Sequence, residues 1–101
     1  MCIRDRLYLN KGNWNGEQII SKEWVENATS PDKNDPTYGW VFVLNTRNEL
    51  FADAPKDAYK AGGFNGQMVI VIPSENMVVV RLGVSDKIDM NRIVREIIEA
   101  F

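Results

Sequence analysis

Toward the C-terminus the apolar residues fall at Met90, Ile93, Val94, Ile97, Ile98 and Phe101. Their spacing lays one apolar stripe along a helix, with Asp86 or Asp89 as its cap and Arg95–Glu99 as an i,i+4 pair. Before this helix the pattern changes. Gln67 to Ile72 and Met77 to Val84 are apolar runs separated by Pro73-Ser74-Glu75-Asn76. This predicts two strands joined by a tight turn in which Asn76 takes a positive φ. Tyr38 to Leu44 is aromatic and β-branched, hence a strand. Asn45 to Glu49 is polar and leads to the apolar pair Leu50-Phe51, and Ala58-Tyr59-Lys60 is a further short strand after the break at Pro55-Lys56-Asp57.

Nearer the N-terminus, Leu7-Tyr8-Leu9 followed by Asn10-Lys11-Gly12 reads as the last turn of a helix, with Gly12 as its left-handed stop. Asn15-Gly16 is the strongest short hairpin signal. Ser21 is an N-cap that opens a helix through about Ala28, with Ile20 and Val25 placed for a hydrophobic staple. Ser30 to Thr37 is a loop by composition. The first six residues, Met1-Cys2-Ile3-Arg4-Asp5-Arg6, carry charge with no apolar run behind them and give no secretory signal. They resemble translated sequencing-adapter sequence and are set apart as a leader (1–6) foreign to the fold, the alternative being an ordinary frayed first turn. The domain is then 7–101.

The expected class is α+β, an antiparallel sheet with flanking helices. One feature of the pattern conflicts with a self-sufficient domain of this size. Met68 to Ile72 and Met77 to Val80 are apolar at every position rather than alternating, as strands buried on both faces are. The C-terminal helix covers one face, and the only other complete helix, near 22–28, is too short to match it. A bare sheet face is a serious deficit in a small domain. The pattern therefore implies part of a larger α/β domain or an obligate oligomer.

Composition narrows the chemistry. The chain has 101 residues, 45% hydrophobic and 26% charged, with a formal net charge of −2. That is too apolar for disorder and too short for two domains. The basic residues are spread along the chain, unlike the footprint of a nucleic-acid binder, and no apolar run approaches the roughly 20 residues of a membrane helix. A lone cysteine, Cys2, excludes an internal disulfide and a thiolate zinc cluster. The chain contains no histidine, which removes Ser-His-Asp and Cys-His mechanisms and histidine metal sites from within it. No metal or cofactor is called for.

The glycine-rich segment Lys60-Ala61-Gly62-Gly63-Phe64-Asn65-Gly66-Gln67 is the main candidate for chemistry. Glycines at a strand end let a ligand approach the backbone closely, and free N–H groups there can stabilise an oxyanion. A lysine at its edge attracts a substrate carboxylate. The simpler account is a flexible glycine turn with a solvated lysine. No Gly-Lys-Ser/Thr closes a P-loop, and the glycine spacing does not fit a dinucleotide fingerprint. Ser30-Pro31-Asp32-Lys33 matches Ser-x-x-Lys in form, but in a polar loop with Pro31 between the two side chains, so it is read as accidental. Tyr8-Leu9-Asn10, a formal Tyr-x-Asn on a helix end, is read the same way. Trp14, Trp24, Tyr38, Trp40, Phe42 and Phe51 are assigned to packing. Asp53, Asp57, Asp86 and Asp89 are assigned to caps and turns.

Three segments together resemble the C-terminal part of the β-lactamase-related serine hydrolases, a superfamily that includes class C β-lactamases, D-alanyl-D-alanine carboxypeptidases, related esterases and 6-aminohexanoate-dimer hydrolases. They are Leu7 to Gly16 with Ile19 to Val25; Tyr38-Gly39-Trp40; and Ala61 to Gln67 running into Val71-Ile72-Pro73 and Val78-Val79-Val80. The resemblance implies the C-terminal portion of a β-lactamase/transpeptidase-like fold. It also implies an acyl-enzyme hydrolase of ester, amide or peptide-like bonds, built on Ser-x-x-Lys, Tyr-x-Asn and a third element on the sheet, Lys-Thr-Gly or His-x-Gly. Lys60-Ala61-Gly62 falls at the third element, with Ala61 in place of threonine. An alignment shifted by one residue puts Ala61 in the lysine's place. The resemblance makes the Gly63 N–H an oxyanion donor, Lys60 a source of positive potential, and Ala61 and Gly62 substrate-binding. The first two elements are absent, so the chain alone is expected to be inactive. Its partners would be a small-molecule or peptide-like substrate and the missing N-terminal part of the same domain, in a parent often exported in bacteria. The alternative is a small non-catalytic α+β module that dimerises through an apolar sheet face.

Overall fold

The computed structural model describes residues 2–84 and 87–101. It is an α+β fold, as the sequence predicts: three helices around a two-stranded and a four-stranded sheet, both antiparallel. Helix α1 (Cys2–Leu9) is followed by the hairpin β1 (Asn13–Trp14) and β2 (Glu17–Gln18), then α2 (Lys22–Ala28). The main sheet is built in chain order from β3 (Val43–Leu44), β4 (Tyr59–Gly62), β5 (Met68–Ile72) and β6 (Met77–Arg81), and α3 (Met90–Ala100) closes the chain.

Local chemistry accounts for most boundaries. Asn15 (φ 50°) and Gly16 (φ 84°) form the turn between β1 and β2, the left-handed pair that a two-residue hairpin needs. Ser21 caps α2, its hydroxyl accepting from the Trp24 N–H at 3.1 Å. Asp89 caps α3, accepting from the Arg92 N–H; Asp86, the other candidate, lies outside the described residues. Asn76 takes the left-handed conformation after the single turn Pro73–Glu75. The end of α1 differs in detail. Lys11, not Gly12, is the first left-handed residue, and the Lys11 and Gly12 N–H groups return to the Tyr8 and Leu9-preceding Leu7 carbonyls, a Schellman closure. Gly12 is needed as well, because a Cβ there would lie 2.0 Å from the Ile20 carbonyl oxygen. The helix itself begins at Cys2, so residues 2–6 lie within α1.

Tyr38 to Leu44 is a strand only at its end. The chain reverses at Gly39–Phe42, where the Gly39 N–H donates to the Phe42 carbonyl at 2.9 Å and the Trp40 N–H to the Ala28 carbonyl at 3.2 Å. A Cβ on Gly39 would stand 2.1 Å from that same Ala28 oxygen. Contact with the end of α2 therefore overrides the β propensity of the segment. On α3 the i,i+4 ion pair is Arg92–Glu96 at 2.8 Å, while Arg95 reaches Asp53 instead.

Both sheet faces are covered in the middle, as the doubly apolar strands require. On one face Val69 and Val71 join Ala28, Phe42, Leu44 and Tyr59 in a core that Tyr8 and Leu9 of α1 help to close. On the other, Ile70 and Ile72 pack with Phe51, Ala54, Ala58 and Val94. The cover that the sequence leaves unaccounted for on the second face is thus supplied by α1 and the 39–42 turn. What stays open is the far edge: β5 is buried from Val69 to Ile72, whereas every residue of β6 is only half-buried.

Between β3 and β4 the chain is held by one side chain. Asn45 is fully buried; its Nδ2 donates to the carbonyls of Phe51 (2.9 Å), Pro55 (3.0 Å) and Ala54 (3.3 Å), and its Oδ1 accepts from the Phe51 N–H (2.9 Å). The sequence reading treats Asn45 as ordinary polar loop.

Candidate functional site

The site is built where β4 turns into β5. Asn65 (φ 55°, ψ 37°) and Gly66 (φ 78°) form a second Asn-Gly hairpin turn, so Gly66 is fixed by its conformation. The other two glycines are not. Gly63 is extended (φ −138°, ψ −169°), and a Cβ on it would meet only the Gln67 oxygen at 3.6 Å. A Cβ on Gly62 would meet only the Lys60 side chain at 3.8 Å. Neither conformation nor crowding inside this chain demands glycine at 62 or 63, so their bare backbone is available to something else.

Register decides which backbone groups are available. The Gly63 N–H donates to the Gln67 carbonyl at 2.8 Å. This continues the register that pairs Tyr59 with Val71 and Ala61 with Val69. In an antiparallel ladder the groups of alternate residues point to alternate sides, so the odd residues of β4 face β5. Lys60 faces the other way, opposite Val43. So does Gly62, whose partner would have been Val41; but β3 ends at Val43 and the chain has already reversed. The N–H and C=O of Gly62 therefore project at an open edge, and among the described residues neither has a partner. The Gly63 amide, assigned to an oxyanion by the resemblance, is engaged in the hairpin here.

Side chains alternate too. Ala61 stands opposite Val69 on the α1 face, and Lys60 stands opposite Ile70 on the α3 face. A cavity of about 230 Å³ is lined by Ala61, Gly62, Gly63 and Val69 with the side chains of Arg4 and Arg81. A neighbouring cavity of about 180 Å³ shares Arg4, Ala61 and Val69 and continues past Tyr8 and Phe42. The structure thus brings together three of the four predicted site residues, Ala61, Gly62 and Gly63, and puts Lys60 on the opposite face. Arg81 also donates to the Gly66 carbonyl, tying the end of β6 to the hairpin turn.

Along this groove Arg4 Nε donates to Asp5 at 3.0 Å, and Asp5, 3% exposed, has its other oxygen without a partner among the described residues. Tyr8 packs edge-on against Phe42 with centroids 5.1 Å apart, and Phe42 against Tyr59 at 4.9 Å. Burial pushes the Tyr59 phenol well above its usual range, with Tyr8 and Asp57 adding to the shift. Tyr59 stays neutral and serves as core.

The groove offers a backbone donor, positive charge and an apolar wall. It lacks a nucleophile: the residues around both cavities carry no serine, threonine or cysteine among the described residues. The hydroxyl of Ser30 is bound to the Glu26 carbonyl at the end of α2, away from the groove. Asp57, Asp53 and Asp89 act as caps and anchors, Asp57 holding both the N–H and the hydroxyl of Ser74. No helix among the described residues is long and apolar enough to cross a membrane.

No protein-family profile matches the chain. It is similar to an uncharacterised protein of Alkalihalophilus pseudofirmus, 28% identical over 85 residues. The match covers 74% of this chain and 25% of that protein, so the chain spans about a quarter of the length of its relative.

Proposed function

We propose that this chain is the C-terminal part of a β-lactamase-related serine hydrolase that cleaves ester, amide or peptide-like bonds through an acyl-enzyme. The observation that carries the reading is the open edge of β4 at Gly62. Two glycines that the local fold does not require leave an outward N–H beside an apolar, positively charged groove. Such a donor stabilises the oxygen of a tetrahedral intermediate when it lies about 3 Å from it. In this register Ala61 takes the place of the third element's lysine, and Gly62 rather than Gly63 presents the amide. Lys60 lies outside the groove and supplies at most distant positive potential.

On this reading the nucleophile and its base come from residues outside these 101, and the chain alone performs no turnover. The test has two arms. The purified chain is assayed with p-nitrophenyl acetate and nitrocefin; turnover that Ser30→Ala abolishes would overturn the inactive-fragment reading. The longer reading frame that carries this segment is then expressed and labelled with a fluorescent fluorophosphonate or penicillin. A labelled serine in a Ser-x-x-Lys helix ahead of Leu7 is expected. Absence of any labelled serine in a folded protein would remove the hydrolase assignment.

A further inference from the structure

We infer that the free edge of β6 is a docking site for one more strand, apolar at every position, from a part of the same polypeptide outside these 101 residues. The inference rests on the chain being part of a longer domain and not on the chemistry at Gly62.

Hydrogen-bond direction comes first. In β5 the odd residues face β4, so the even ones, Met68, Ile70 and Ile72, bond to β6 opposite Arg81, Val79 and Met77. The N–H and C=O groups of Val78 and Val80 therefore point outward, and among the described residues they have no partner. This is an accepting edge five residues long, with none of the charges, prolines or bulges that protect edges in its centre.

The helices show where a neighbour must lie. The apolar stripe of α3 is two residues wide, and the sheet covers only half of it. Met90, Val94 and Ile98 pack on the core of β5. Ile93 and Ile97 overhang beyond β6, where they line open troughs of about 350 and 580 Å³ whose floor is Val79 and Val80. Phe101, at the end of the larger trough, is 95% exposed. The opposite face repeats this on a smaller scale, with a cavity of about 370 Å³ between Leu9 and the pair Val78 and Val80. A strand placed about 4.8 Å outside β6 would drop alternate side chains into the two faces, and both faces are apolar. An amphipathic strand would put its polar half against Ile93 and Ile97. The occupant therefore needs the same uniformly apolar character as Met68–Ile72.

A second copy is disfavoured as occupant. Antiparallel pairing of two β6 edges about Val79 sets Arg81 of each copy over Met77 of the other on the α3 face, where the troughs are apolar. The relative is about four times the length of the matched segment, counted from its 25% coverage, so a longer polypeptide has ample chain to supply a strand.

The test is amide hydrogen exchange on the 101-residue chain, alone and with two capped, lysine-flanked peptides: Met-Val-Ile-Val-Ile, the sequence of β5, and an alternating Val-Lys-Val-Lys-Val. Without peptide, Met77, Val79 and Arg81 are expected to be protected while Val78 and Val80 exchange freely. The apolar peptide should slow Val78 and Val80 by about tenfold or more, and the alternating one should not. Val80→Pro removes one outward N–H while sparing the bonds to β5; circular dichroism should show the fold kept and the protection lost. Protection of Val78 and Val80 in the free monomer, or equal protection by both peptides, would overturn the inference. So would protection that rises with protein concentration alone, which would identify a second copy. In the longer reading frame both amides should be protected at every concentration. Failure here leaves the serine-labelling result standing, so the two readings fail separately.

Discussion

Replacing Asn45 should cost this fold more than any other loop substitution. The side chain is fully buried and makes four hydrogen bonds, all to the 51–55 segment. In Asn45→Ala the Phe51 N–H and C=O lose their partner where Phe51 is 3% exposed. A buried orphan costs about 1–3 kcal/mol, so the pair gives about 2–6 kcal/mol, with about 3–4 kcal/mol as the central expectation. The Ala54 carbonyl adds little, because Asn48 Nδ2 also donates to it at 2.9 Å, and half-buried Pro55 can turn to water. Against a total stability of about 5–15 kcal/mol for a small domain, the loss is a large share. It lowers the Tm by about 12–25 °C at this size. The assay is urea unfolding followed by circular dichroism, with Asn48→Ala as the control that removes one partly buried bond and costs about 1 kcal/mol. Asn45→Asp sharpens the test: it aims a carboxylate at three carbonyls, so it should destabilise more than Asn45→Ala at neutral pH. Part of the loss should return on acidification, when the protonated acid regains a donor. If Asn45→Ala costs no more than Asn48→Ala at equal m-values, the reasoning is refuted.

Gly39→Ala drives a methyl to 2.1 Å from the Ala28 oxygen, and the overpacking should cost about 1–3 kcal/mol; thermal unfolding together with the emission of Trp24 and Trp40, whose rings lie 5.8 Å apart, reads both stability and the loosened turn. Gly62→Ala and Gly63→Ala should be neutral or stabilising by up to about 1 kcal/mol, whereas Gly66→Ala, forced into positive φ, should lose about 1–2 kcal/mol; equal effects at all three positions in chemical denaturation would contradict the turn assignment. Tyr59 has its pKa raised by burial, so its contribution is complete below the unfolded tyrosine value and falls as pH rises above it; absorbance at 295 nm should show no Tyr59 ionisation before alkaline unfolding, and Tyr59→Phe should leave the amplitude before unfolding unchanged.

The parts of the fold that were legible are those set by local rules. The α3 stripe, the Ser21 cap, the Asn15-Gly16 turn and the Asn76 turn follow from residues adjacent in sequence, and each is observed. Tyr38 to Leu44 was not legible, because what ends its strand is the carbonyl of Ala28, ten residues earlier and on another element. Asn45 was missed for a related reason. A polar residue after a strand signals a loop, and only burial among carbonyls six to ten residues ahead distinguishes a staple from a solvated side chain. A usable signal was present for the 60–67 segment: Asn65-Gly66 is the same dipeptide as Asn15-Gly16 and marks the same turn. Recognising it would have separated Gly66, a turn glycine, from Gly62 and Gly63.

That separation also bears on the site. A glycine-rich stretch cannot by itself say which amide faces outward, since outward and inward alternate residue by residue and a slip of one exchanges them. The Asn65-Gly66 turn pins the register of β4 against β5, and the early end of β3 uncovers one position on the far side. Together they select Gly62 and place Ala61, not Lys60, at the groove. The order of causes therefore runs from the turn to the register, from the register to the exposed amide, and from the amide to the chemistry it can support. A change that lengthened the 64–67 turn by one residue would shift that parity, and would move the outward donor without altering any residue of the groove.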